Sequence, residues 1–297
     1  MGDKCYFDIQ VADKCNLNCK HCCMAYSMNH KQTDYDEIIS YLKDKPLVKE
    51  VHLAGGEVML EDTKSLLKLI DSFPHTKFKL TTNLIYPLTE DRLEIIKLVH
   101  SLQTSFDLKI RFDNVRNLLT WYRNCRYILE NVREDLEVIC SITKYTIKKD
   151  PIRLMNFFNH IGFHGYKYIL LSDAGRYTEN NLGYDKEEYH KWMHKVLDTH
   201  DYKNQTIQLI LGKNMTNCQY GDTVQPVNIY GKEITCPILG DNNDECLLPE
   251  ECLYCNLRYK CGGRCKLIPC TFYEDIYDRA VKEYIPIIAK YHDKMYK

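Results

Sequence analysis

Three cysteines in eight residues, Cys15-x3-Cys19-x2-Cys22, are the first group in this sequence that could do chemistry. Four-iron clusters are held by cysteine thiolates. A gap of three residues and then of two lets one loop wrap three corners of a cube. The fourth iron is left without a protein ligand, and a substrate-like molecule can chelate it. Cys23 lies directly beside Cys22, but adjacent side chains diverge, so it is not counted as a fourth ligand. A zinc loop is the competing reading, although zinc sites more often use paired C-x2-C knuckles. A second group lies toward the other end: Cys218, Gly231-x4-Cys236, Cys252-x2-Cys255-x5-Cys261-x3-Cys265 and Cys270. There a zinc ribbon competes with iron, because Cys252-x2-Cys255 suits zinc well.

Fifteen cysteines in 297 residues also raise the question of disulfides. Disulfides need a secretory route. The N-terminus, MGDKCYFDIQ, is charged and has no apolar h-region, so no signal peptide is visible. No run approaches the ~18 apolar residues of a membrane span. Metal ligation in a reducing cytoplasm is the better reading. A net charge of −1 advertises neither a nucleic-acid partner nor a membrane surface. A hydrophobic content of 44% permits a sizeable core.

Elements that would position these residues follow from periodicity. Tyr6–Ala12 reads as a strand leading into the first cysteine loop. Thr33-x-x-Asp36 reads as a capping box ahead of Ile38, Ile39 and Leu42. A strand over Val48–Ala54 ends in Gly55-Gly56-Glu57, and Lys77–Thr82 is a third strand ending at Asn83. Leu102–Phe106 ends near Asp107, and Val115 to Val132 show one apolar face of a long helix. Leu136–Ile142 and Tyr166–Leu171 are further strands, with a helix between them that begins at Asp150-Pro151 and ends at Gly162. Asp185-x-x-Glu188 caps a sixth helix, and 275–297 reads as a terminal helix. Six strand–helix units in order predict a parallel sheet with right-handed crossovers, fewer than the eight of a closed barrel. The fold class expected is α/β: a partial (β/α)6 TIM barrel over 1–210, then a small Cys-rich C-terminal domain with its terminal helix over 211–297.

Cys15, Cys19 and Cys22, just after the first strand, together with Gly55-Gly56-Glu57 at the end of the second, resemble the radical S-adenosylmethionine (SAM) superfamily. That resemblance implies a [4Fe–4S] cluster on the three cysteines, reductive cleavage of SAM, and a 5′-deoxyadenosyl radical that abstracts a hydrogen atom. It implies that the glycines let backbone approach SAM and that the backbone and Glu57 engage its amino group. The usual following Pro is Val58 here. Thr82, Asn83, Ser105, Asp107 and Ser141 would line the SAM pocket from other strand ends. The superfamily's ribose- or carboxylate-binding Arg is left open among Arg111, Arg116, Arg123 and Arg126.

The distal cysteines resemble the seven-Cys SPASM domain of radical SAM peptide maturases. By that resemblance Cys218, Cys236 and Cys265 hold one auxiliary iron–sulfur cluster, and Cys252, Cys255, Cys261 and Cys270 hold a second. Either the first keeps an open iron, or Cys246 completes it. Sulfatase maturases carry an Asp after the second Cys of the G-x4-C unit, where this chain has Pro237, so formylglycine formation is not implied. Cys23 and Cys246 are candidate hydrogen-atom donors to a product radical, as in peptide epimerases. Cys125 and Cys140 lie on apolar faces and read as core. The substrate expected is a peptide or protein. A small molecule, such as a sugar or modified nucleoside oxidised or isomerised, is the alternative. The partner expected is a one-electron reductant such as flavodoxin or ferredoxin; since only fourteen residues precede Cys15, a peptide substrate would bind the barrel directly or arrive with a separate leader-peptide-binding protein.

Overall fold

The computed structural model describes residues 5–24, 31–107, 109–112, 114–172, 174–211, 224–236, 252, 254–256, 270 and 273–295. Its centre is a parallel sheet with strand order β6-β5-β4-β3-β2-β1-β7. The strands are β1 (Tyr6–Ala12), β2 (Glu50–Gly55), β3 (Lys77–Thr82), β4 (Ser101–Ser105), β5 (Glu137–Ser141), β6 (Gly165–Ile169) and β7 (Val224–Val227). Between them run helices α1 (Tyr35–Lys43), α2 (Thr63–Asp71), α3 (Glu90–Leu98), α4 (Val115–Asn131), α5 (Pro151–Ile161), α6 (Arg176–Glu179), α7 (Lys186–Leu197) and α8 (Gln205–Leu211). The terminal helix α9 covers Glu274–Met295. The six predicted strand–helix units are present, in order. The sheet gains a seventh strand that periodicity did not reveal. Four residues with an internal proline, Val-Gln-Pro-Val, are too short to register as a strand, yet β7 pairs with β1 from Tyr6↔Val224 to Ile9↔Val227. It comes from the Cys-rich part of the sequence and lies in the barrel's own sheet.

Alternation within the strands builds two different faces. Phe7, Ile9, Val11, Val51, Leu53, Phe78, Leu80, Leu102, Val138, Tyr166 and Tyr168 are buried in the main apolar core. Trp121 of α4 and Phe158 of α5 anchor it through Phe106, whose ring lies 5.1 and 5.6 Å from theirs. Cys125 and Cys140 are fully buried there, as packing residues should be. The alternate positions carry polar side chains that answer one another between strands. His52 contacts Asp8 at 3.5 Å and Thr81 at 3.1 Å, and Gln103 donates to Glu137 at 2.7 Å. The apolar face is therefore the core, and the polar face lies on the other side of the sheet.

Helix ends follow their caps. Asp150 caps α5, Pro151 opens it, and Gly162 closes it with φ 101°. Asp185 caps α7 by accepting from the amides of Glu187 and Glu188. One expectation is corrected. Asp34, not Thr33, caps α1, accepting from the Glu37 amide at 3.1 Å. The Thr33 hydroxyl is spent on the Val11 carbonyl at 2.9 Å, which ties the chain back to β1. Among the described residues no helix is long and apolar enough to cross a membrane.

Candidate active site

The cysteine loop leaves β1 and is met at once by the end of β2. Gly55 has φ 128°, and a Cβ there would sit 2.2 Å from the Ala12 carbonyl oxygen. A Cβ on Gly56 would sit 2.0 Å from the Lys14 oxygen and 3.3 Å from the Cys15 Cβ. Only glycine fits either place. This close approach lets the Gly56 amide donate to Ala12 O at 2.9 Å and the Glu57 amide to Lys14 O at 2.7 Å. The glycines thus let β2 lie directly on the start of the cysteine loop.

Glu57 is 1% exposed. Its carboxylate accepts from the Thr82 hydroxyl at 2.6 Å, the Asn83 amide at 2.7 Å and the Met59 amide at 3.1 Å. Burial raises its pKa, against the pull of those hydrogen bonds. The carboxylate clamps the end of β3. From there the Asn83 side chain donates to Asn16 Oδ1 at 2.8 Å, inside the cysteine loop, and Asn16 donates to the Ile85 carbonyl at 2.6 Å.

A third tie runs from β4 and β5. Asp107 is fully buried. It accepts from the Ser141 amide at 2.8 Å and from Arg111 Nε at 2.6 Å, and lies 3.4 Å from His21 Nε2. Burial opposes its ionisation, but His21, Arg111 and the Ser141 hydrogen bonds outweigh burial and hold its pKa at about 2. Burial pushes His21 down to about 4. The β6–α6 connection makes a fourth tie, which the sequence reading missed. Gly175 has φ 56°, and a Cβ there would fall 2.3 Å from the Cys23 oxygen. The Arg176 amide donates to Cys22 O at 3.1 Å, and Asn180 Nδ2 to Lys20 O at 3.3 Å. The only sequence signal was a glycine just past a strand end.

Cys15, Cys19 and Cys22 therefore share one loop pinned from four strand ends. Burial raises the Cys15 thiol to about 11 and raises Cys19 as well. Cys19 raises the Cys15 thiol further and Cys22 raises that of Cys19, while Arg111 offsets this at both. Three thiols on one loop, two of them facing the charge of a fixed guanidinium, fit an anionic iron–sulfur cluster, whose thiolate ligands need compensating charge. All three are free cysteines. Arg111 is the arginine at this centre among the four left open. Arg126, by contrast, donates to Ile161 O and pairs with Glu130.

Of the other predicted residues, Ser105 is half-buried at the end of β4, and Ser141 is buried. Cys23 is half-buried, with burial raising its thiol to about 11, and it lies near enough to Cys236 to feel its charge. Cys236 and Cys252 are buried, whereas Cys255 and Cys270 are exposed. Cys218, Cys246, Cys261, Cys265 and Pro237 lie outside the described residues.

Residues 5–130 match the family model of the 4Fe-4S single cluster domain. No curated protein matches the chain. Among solved structures the chain is similar to native anSMEcpe with bound AdoMet and the Cp18Cys peptide. Identity there is 15%, the TM-score is 0.68, and 98% of this chain and 99% of that one are covered. It is also similar to Streptococcus suis SuiB bound to S-adenosylmethionine, at 16% identity and TM-score 0.64, covering 89% of this chain and 73% of that one. SuiB bound to the precursor peptide SuiA gives 16% identity and TM-score 0.60, over 82% of this chain and 62% of that one. The fold is shared with these proteins, and the family match over 5–130 takes in the first cysteine loop. Both findings agree with the resemblance to radical SAM enzymes read from the first cysteine loop.

Proposed function

We propose that this chain is a radical SAM enzyme that abstracts a hydrogen atom from a peptide or protein, as a step in crosslinking, epimerisation or oxidation. One observation carries the reading. Two motifs forty residues apart in sequence meet as the Gly56 and Glu57 amides hydrogen-bond to Ala12 and Lys14, directly before Cys15. When bound, a [4Fe–4S] cluster with SAM supplies an electron and a 5′-deoxyadenosyl radical.

The rest is the work of the chain's own residues. Cys15, Cys19 and Cys22 would hold the cluster, leaving one corner open. Gly55 and Gly56 bring backbone against the loop with no side chain between. Thr82, Asn83, Ser105, Asp107 and Ser141 would line the SAM pocket. In that arrangement Asp107 orients Arg111 toward Cys15 and Cys19, and Glu57 acts from behind Asn83. The polar face with Asp8, His52, Thr81, Gln103 and Glu137 offers hydrogen bonds to a polar substrate. Auxiliary clusters on Cys218, Cys236 and Cys265, and on Cys252, Cys255, Cys261 and Cys270, would take up the electron left after hydrogen abstraction, in a C-terminal unit over 211–297. Cys246 would serve as an eighth ligand, or with Cys23 as a hydrogen donor. The reading includes a cytoplasmic location, a flavodoxin or ferredoxin as reductant, and a separate leader-peptide-binding protein. The peptide class is supported by the peptides bound in the similar anSMEcpe and SuiB structures.

The test is deuterium transfer. The reconstituted enzyme, SAM and dithionite are incubated anaerobically with deuterated peptides, or with deuterated sugars and nucleosides. Deuterium in 5′-deoxyadenosine from a peptide is expected. Transfer only from sugars or nucleosides would move the assignment to a small-molecule dehydrogenase or isomerase. No 5′-deoxyadenosine at all would end the radical reading.

A further inference from the structure

A second group of metal-ligating side chains lies away from the cysteine loop, where α7 meets α9. His190 and His194 are one helical turn apart, so both imidazoles leave the same face of α7. Asp275, at the start of α9, reaches them from the other helix. His190 Nε2 lies 2.8 Å from Asp275 Oδ2, and His194 Nε2 lies 2.9 Å from the same oxygen. One ligand atom from each residue falls within 4.8 Å of the others. The imidazoles cross nearly at right angles, at 83°. The site is held from outside. The Tyr273 ring lies 4.4 Å from that of His190, and its hydroxyl donates to the Lys186 carbonyl at 2.9 Å.

We propose that His190, His194 and Asp275 form a binding site for a borderline divalent transition metal of the zinc class, which joins the terminal helix to α7. Two imidazoles and one carboxylate are a donor set for such an ion rather than for magnesium or calcium, which prefer all-oxygen shells. Three protein ligands with water completing the shell is a common zinc arrangement. The size fits. Bonds of about 2.0–2.1 Å in a tetrahedron put donor atoms about 3.3 Å apart. The Nε2–Oδ2 separations of 2.8 and 2.9 Å need only open by about half an ångström, within side-chain reach.

Arg279 must be compatible with this. Its Nη1 donates to the His194 carbonyl at 3.1 Å and lies 3.3 Å from His194 Nδ1. Metal on Nε2 leaves the proton on Nδ1. The longer approach is then given up, while Arg279 keeps the carbonyl, Glu283 at 2.8 Å and Asp198 at 2.5 Å. The consequence is positional. Asp275 lies five residues after Cys270, so an ion here would fix where the chain leaves the Cys-rich segment.

The test uses the reconstituted holoenzyme under anaerobic conditions. One equivalent of zinc chloride is added, free metal is dialysed away, and zinc and iron are counted. Zinc K-edge absorption then separates nitrogen and oxygen neighbours near ~2.0 Å from sulfur near ~2.3 Å. One retained zinc with a nitrogen/oxygen shell is expected. His190→Ala and His194→Ala should each weaken its retention at least tenfold with iron unchanged. A gentler variant, Asp275→Asn, serves if either alanine variant does not fold: zinc should raise the unfolding temperature of the parent and not of this variant. Sulfur in the zinc shell, undiminished zinc in the variants, or no zinc held by the parent would overturn the proposal. None of these readouts depends on SAM cleavage, so the site and the radical reading stand or fall separately.

Discussion

Replacing Gly56 with alanine tests the central contact of the site. The new Cβ would sit 2.0 Å from the Lys14 oxygen and 2.6 Å from its carbon, and real Cβ atoms hardly ever come within 3.0 Å of a neighbour. The neighbour is backbone, so it cannot rotate away. The cysteine loop and β2 must part by at least the difference, 3.0 − 2.0 = 1.0 Å. Two hydrogen bonds lie on that line, Gly56 to Ala12 at 2.9 Å and Glu57 to Lys14 at 2.7 Å. A buried donor left unmet costs about 1–3 kcal/mol, so breaking both costs about 2–6 kcal/mol. Domains commonly have only about 5–15 kcal/mol in all. Gly56→Ala should therefore lower the unfolding temperature clearly and hold about four fewer irons per chain after reconstitution, the content of one cluster. A displacement of about 1 Å at a reacting centre costs on the order of a hundredfold in rate, and 5′-deoxyadenosine formation should fall at least that far. Gly183→Ala is the control, because its Cβ would meet only the Tyr177 hydroxyl at 3.8 Å. If Gly56→Ala keeps full iron and cleaves SAM at the parent rate, the inference that these glycines exist for the loop is wrong.

Cys19→Ala should abolish 5′-deoxyadenosine formation and lower the iron content by about four per chain, the content of one cluster. Glu57→Gln turns an amide N–H toward a backbone donor in either orientation, the Met59 amide on one oxygen's side or the Asn83 amide on the other's; a loss of about 1–3 kcal/mol in denaturant titration is expected. Asp107→Ala strands Arg111 and should cost about 3–5 kcal/mol by the same measure. Asp107 is held at about 2 against an ordinary 3.8, so its ionisation stabilises the parent above pH 4, and that share fades as pH falls toward 2. The Asp107→Ala variant should show a correspondingly flatter acid limb. Phe158→Ala removes a fully buried ring in contact with Phe106, Phe163 and Tyr166, and should cost about 3–5 kcal/mol by calorimetry with the iron count unmoved.

The barrel was legible because its signals are local. A strand such as Tyr6–Ala12 or Lys77–Thr82 alternates over six or seven residues, and a helix such as α5 states its beginning in Asp150-Pro151 and its end in Gly162. β7 was not legible, because four residues carry too little periodicity, and its place beside β1 depends on pairing across more than two hundred residues. Thr33 misled for a related reason. A capping box and a side chain turned back to Val11 look alike in sequence, and only the neighbouring strand decides between them. His190 and His194 went unread, because an i, i+4 pair of histidines is common on a helix and nothing local announces that Asp275 lies opposite.

The site shows the same division with a functional consequence. The cysteines and Gly55-Gly56-Glu57 could be read as motifs because their chemistry needs those residue types. The contacts that hold the motifs in place could not, since nearly all of them join residues far apart in sequence. Asn16 depends on Asn83, His21 and Arg111 on Asp107, and Lys20 and Cys22 on the turn at Gly175 to Asn180. Glu57 belongs to both sets. Both its carboxylate oxygens are spent on β3, and the amide of the same residue grips Lys14. One residue thus fixes the end of β3 and the start of the cysteine loop together. Any change that moves β3 is carried to Cys15 through two hydrogen-bonded residues, the buried Glu57 and the half-buried Lys14. The loop's placement therefore comes from the strand ends around it, and a three-cysteine peptide cut from this chain keeps its own Cys22–Cys19 backbone bond but lacks every one of those outer ties.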